Sequence, residues 1–162
     1  MLISNCSKNL RYTTKPLKTE PRHLLDTPLL SAQAFHFLTS PHDTTNQIRE
    51  LISLRYSRAI EQRPTIIWQP APLPCLSENL AACLEAMKLA DVFSQNHIDL
   101  AALFGIDLDR DGQCERATIQ ELSHKYMTSG IGASNKGTIV VRKAVVYSVG
   151  SGMISFGCLP IM

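Results

Sequence analysis

The stretch "ADVFSQNHIDLAALFG" (Ala90 to Gly105) holds a strand signal and a helix signal back to back. Ala90 to Ser94 is a short, bulky apolar run of the kind that fits a pleated sheet. Asn96 sits just past its end. The segment "HIDLAALFG" then reads as a short helix stopping at Gly105, the usual residue type just beyond a helix C-terminus. A strand feeding directly into a helix is one half of a βαβ unit.

The same alternation recurs on both sides. Upstream, "AFHFLTS" (Ala34 to Ser40) is an apolar run closed by Pro41. Thr44 or Thr45 is expected to cap a helix reaching about Gln62, with Ile48, Leu51, Ile52 and Ala59 toward one face. "TIIW" (Thr65 to Trp68) is a second strand, ended by the prolines of "QPAPLP" because proline cannot donate to a sheet ladder. Ser77 is expected to cap a helix whose Leu80, Cys83, Leu84 and Met87 form the cleanest helical stripe in the chain. Downstream come a polar stretch, a helix over "TIQELSHKYMTSG", and a fourth strand "GTIVVR" (Gly137 to Arg142). The tail from Lys143 can add one more strand. Short apolar runs alternating with amphipathic segments imply an α/β fold with a mostly parallel sheet and helical crossovers.

With 162 residues the chain suits one domain. A net charge of +2, with basic residues scattered, gives no footprint for nucleic acid. No apolar run approaches a membrane span. Five cysteines without CxxC spacing read as reduced thiols, so a cytoplasmic location is expected. Residues 1–25 are expected to be a partly irregular leader, its first eighteen residues basic and free of acidic side chains.

Several motifs stop short. "DLDRDGQCERAT" (Asp107 to Thr118) opens like a calcium loop, with Asp107, Asp109, Asp111 and Gly112 at positions 1, 3, 5 and 6. Position 12 is Thr118, not a bidentate glutamate. Thr118 and Glu121 instead suit a capping box, and a helix starting at Thr118 begins late for an EF-hand. A solvated acidic turn is the favoured reading, and calcium is not expected. "GIGASNKGT" lacks P-loop order, because Lys136 precedes its glycine. The five histidines have no metal-ligand spacing, and His36, between Phe35 and Phe37, reads as a core or sheet-face side chain.

Ligands of open α/β sheets bind beyond the carboxyl ends of the strands, here Ser40-Pro41, Gln69-Pro70, Asn96 and Arg142. Asn96 and Asp99 place an amide and a carboxylate on the first turn of a helix. Such a pair can order water around a hydrated Mg²⁺. It can equally be a plain N-cap, with Asp99 set near the positive helix end. Spacing alone leaves both open.

"TPLLSAQAFHFLTSP", "RPTIIWQPAPLPCLSENLAACLEAMKLADVFSQNHIDLAALFG" and "SGIGASNKGTIVVR" resemble the central part of ribokinase-like (PfkB-type) carbohydrate kinases. The similarity is to the fungal branch related to the yeast killer-virus maintenance protein. The resemblance implies a three-layer α/β/α, Rossmann-like core, truncated at both ends. Residues 26–142 would form the partial domain and 143–162 a divergent tail. It also implies transfer of the ATP γ-phosphoryl group to a sugar hydroxyl with Mg²⁺. By position the family's N-x-x-E motif falls on Asn96 and Asp99, which would be cofactor-binding, with Asp99 at the metal's water shell. Asp replaces Glu there, one methylene shorter. The family's G-A-G-D signature, source of the catalytic base, has no counterpart: Met153 stands at the aspartate position of Gly150-Ser151-Gly152. No catalytic residue is therefore assigned, and weak or absent activity is expected. The expected partners are a nucleotide and a sugar, with no nucleic acid and no membrane. The alternative is a non-catalytic interaction module forming homo- or hetero-oligomers through an exposed sheet edge, or a fragment without a function of its own.

Overall fold

The computed structural model describes residues 19–71, 76–106, 108, 115–132, 135–145 and 155–158, with backbone alone for 143–145 and 155–158. Two 3-10 turns, Pro21–Leu24 and Pro28–Ser31, lead into strand β1 (Ala34–Thr39). Helix α1 (Pro41–Ser57), strand β2 (Thr65–Pro70), helix α2 (Leu80–Met87) and strand β3 (Val92–Asn96) follow in strict alternation. Helices α3 (His97–Leu103) and α4 (Arg116–Thr128) then precede β4 (Thr138–Val145) and β5 (Ser155–Cys158). Strand order in the sheet equals chain order. β1 to β4 are parallel and β5 returns antiparallel beside β4. The α/β class and the mostly parallel sheet are as expected, and the tail does supply one more strand.

Helix starts differ from the sequence expectations. Pro41 is already helical, and Ser40 is the cap: its Oγ accepts the Asp43 N–H at 3.1 Å. Ser-Pro suits this, because Pro at the first helical position has no N–H to leave unsatisfied. Thr44 is instead buried, its hydroxyl 2.5 Å from that of Thr39. α1 also ends at Ser57, and Ala59 takes a left-handed φ of 56° outside it. Ser77 opens a 3-10 turn (Ser77–Asn79) that runs into α2. α4 begins at Arg116, so Thr118 lies within its first turn and the expected capping box is not formed. Glu121 pairs with Lys125 at 2.8 Å, and that bond lowers its pKa.

The topology decides where the helices go. Each crossover steps the same way across the sheet, and right-handed connections then place every helix on one face. Register confirms it. Phe37, Trp68, Phe93 and Ile139 are mutual neighbours along one row of the sheet, all buried. An aromatic chain continues from that row into the helices: Trp68 to Phe93 (5.4 Å), Phe93 stacked on Tyr126 (5.1 Å), and Phe104 edge-on to Tyr126 (5.2 Å). The opposite face carries Ala34, His36, Leu38, Thr65, Ile67, Gln69, Val92, Ser94, Thr138 and Val140, all exposed or half-buried. Among the described residues no helix covers it, so these residues supply two layers of the expected three.

Arg55, in the last turn of α1, is buried and acts as a clamp. Its Nη1 donates to the carbonyls of Leu30 and Ala32, the latter at 3.0 Å, and Nη2 donates to Gln62 O at 2.8 Å. Its guanidinium also lies 5.8 Å from the Phe35 ring centroid. Replacing Arg55 by Met should cost about 2–4 kcal/mol in urea denaturation, because buried carbonyls lose their donors. Arg55→Lys should restore only part of this, since one ammonium cannot span the same fork. A loss below about 0.5 kcal/mol for Arg55→Met would refute the clamp.

Candidate functional site

At the carboxyl end of the sheet β3 lies between β2 and β4, and Asn96 is register-matched to Arg142. Asn96 has two roles there, as the last residue of β3 and the N-cap of α3. Its Oδ1 accepts the Asp99 N–H at 2.7 Å. Its Nδ2 donates to Asp99 Oδ2 at 2.5 Å. One amide thus holds both the backbone and the carboxylate of Asp99, so the two residues singled out in the sequence do meet. The N-cap is formed, and the carboxylate is held by the cap's own side chain.

The far end of α3 is closed just as tightly. Gly105, at φ 69°, donates to Ala102 O, and Ile106 donates to Ala101 O. This is a Schellman ending, and it needs a residue that tolerates a left-handed backbone. With both ends fixed, α3 holds Asp99 in one place relative to β3 and β4.

Electrostatics sharpen the picture. Burial raises the Asp99 carboxyl above its ordinary 3.8, opposed by the Asn96 hydrogen bond and by the nearby charges of Arg142 and His97. His97 is buried, its Nδ1 3.4 Å from Arg142 O. The Arg142 Nε is buried and makes no hydrogen bond. Sequence reasoning took Arg142 only as a strand end and gave His97 no role. A charged residue closing the apolar run "TIVVR" was the available signal, but its neighbour Asn96 is set by non-local register.

The cluster can hold a carboxylate, an amide and a guanidinium side by side. A carboxylate accepts more than one hydrogen bond, so Asp99 can also hold a metal-bound water. No group of three His, Cys, Asp or Glu among the described residues could ligate a metal directly. The acidic turn considered for calcium, Asp107 and residues 109–114, lies outside the described residues. α4 starts at the tenth residue of that stretch, so its helix is not late; the missing carboxylate at Thr118 still counts against calcium. No helix among the described residues is long and apolar enough to cross a membrane.

No family model matches the chain, and no solved structure does. An uncharacterized protein of Schizosaccharomyces pombe is 30% identical over 141 residues, which are 87% of this chain and 37% of that protein. The chain therefore spans little more than a third of this relative's length.

Asp99 also makes stability depend on pH. Its folded pKa is raised, so its contribution is fully present below the unfolded value and is lost as pH rises through the folded one. Relative to Asp99→Asn, the wild type should lose stability as pH climbs above 3.8, in paired urea melts. A gap that widens in the wild type's favour over that range would reverse the assignment. Asn96→Ala should cost ~1 kcal/mol through loss of the cap.

Proposed function

We propose that these residues are part of a ribokinase-like (PfkB-type) carbohydrate kinase domain, weak or inactive as a catalyst in this 162-residue form. The supporting observation is the Asn96–Asp99 pair beside Arg142, at the carboxyl ends of two neighbouring parallel strands. That is where open α/β sheets bind ligands.

The donor set suits Mg²⁺ that arrives with a nucleotide. Mg²⁺ keeps several waters and is held by one or two carboxylates together with substrate phosphates, so a single acidic side chain is enough. When bound, the ion would neutralise charge on the transferring phosphoryl group. Asp99 would accept hydrogen bonds from its water shell. Asn96 would keep that carboxylate oriented through the 2.5 Å amide bond. Arg142 is register-matched to Asn96 and offers a guanidinium for phosphate oxygens.

No proton acceptor for a sugar hydroxyl stands among these three residues, and the Gly150–Met153 string lies outside the described residues. Loss of a general base typically costs ~10²–10⁴-fold, which is why little turnover is expected. A second reading, a non-catalytic interaction module, is favoured by the uncovered sheet face.

Calorimetric titration with ATP and Mg²⁺ tests the first reading. Saturable binding should be weakened at least about tenfold by Arg142→Met, which removes a phosphate-facing charge. It should be weakened likewise by Asn96→Ala. No heat and no thermal stabilisation of the wild type at millimolar ATP–Mg²⁺ would end the kinase reading for this form.

A further inference from the structure

A parallel sheet covered on one face only is physically unusual. All-parallel sheets occur almost always with both faces packed, because βαβ crossovers bring helices to them and their strands are apolar on both sides. Here the crossovers place every helix of the described residues on one face. The open face is not built for water. His36, Ile67, Val92 and Thr138 form one row across it; Leu38, Gln69, Ser94 and Val140 lie on that same face nearer the carboxyl ends. Leu38 is 57% exposed, and Ile67, Val92 and Val140 are only half-buried.

We infer that this face is the docking surface for a layer of two amphipathic α-helices belonging to polypeptide that the Schizosaccharomyces pombe relative carries outside its matched region. Two observations select this occupant. The first is size. Five strands about 4.8 Å apart and about five residues long make a face on the order of 400 Å². A stable association of two separate copies needs about 800 Å² from each partner, roughly twice that area. A helix is about 10 Å across, so two helices of about eleven residues side by side would cover the face. The second is length. The matched region is 37% of the relative, so the larger part of that protein is available to form the layer.

The partner's chemistry follows from the two groups. Ile67, Val92, Val140 and Leu38 call for an aliphatic stripe on each helix. Gln69, Ser94 and Thr138 call for polar side chains at the stripe's margins, since buried amides and hydroxyls need hydrogen-bond partners. The inference does not depend on the kinase reading, because no face residue used here belongs to the Asn96–Asp99 pair.

The test uses the 162-residue chain and the segments of the relative flanking its matched region, expressed as a separate polypeptide and titrated by calorimetry. A 1:1 complex is expected, with the hydrophobic dye signal of the free chain suppressed on binding. Leu38→Asp and Val140→Asp should each weaken the complex more than tenfold, while Tyr56→Ala, on the helix layer, should leave it unchanged. Leu38 lies on an edge strand, so its variant reports even where Val140→Asp melts the sheet, as a thermal scan would show. No complex, or one indifferent to Leu38→Asp, overturns the inference. A homodimer dissociated by Leu38→Asp would give the face to a second copy. Binding seen only after deletion of residues 1–18 would give it to that segment. Either result overturns the assignment made here.

Discussion

A single buried guanidinium sets the frame in which everything else is placed. Arg55 binds carbonyls from the turn at Leu30, from Ala32 just before β1, and from Gln62 just before β2. Those three points fix where two neighbouring strands begin. The charge is tolerated because it sits in the last turn of α1, where the helix dipole favours a cation. Asp91 does the corresponding work one strand further on. Its carboxylate accepts the Ile66 N–H at 2.8 Å and a bidentate pair from Arg63 at 2.7 Å. Its backbone carbonyl accepts the Thr138 N–H. With their amino-terminal ends pinned, the strands run out in step, and Asn96 and Arg142 finish level.

That alignment is what turns two separate sequence features into one cluster. Asn96 would cap α3 in any arrangement of the sheet, because the cap is local. Arg142 becomes its neighbour only through the parallel pairing of β3 with β4. The raised pKa of Asp99 has the same origin: burial between α3 and the strand ends outweighs the charges of Arg142 and His97.

Much of the architecture was legible because it is carried by short-range patterns. The runs at Ala34, Thr65, Val92 and Thr138 are apolar, β-favouring and bounded by breakers, so all four parallel strands were found. Gly105 ended its helix for the expected reason. Helix starts were harder, because several hydroxyl residues in a row can cap. At Ser40-Pro41 the proline was taken as closing a strand when it was also opening a helix. Arg55 left no trace in the sequence, since an arginine on an amphipathic helix normally faces solvent. Tyr126 likewise gave no hint that it would stack on Phe93 across two layers. One-sided coverage of the sheet required strand order, which no local window contains.

Strand order that follows chain order has a kinetic meaning as well. Each strand pairs with the one made just before it: Ala34 with Thr65, Ile67 with Val92, Val92 with Thr138. A nascent chain can therefore extend the sheet one βα unit at a time, without waiting for a distant segment to be inserted between strands already paired. Loop closure is cheapest for such neighbours and grows slowly with separation. The widest gap is the last, across α3 and α4, so β4 joins after the Arg55 and Asp91 clamps can form. The Asn96–Arg142 neighbourhood is then the final part of the parallel sheet to come together during synthesis.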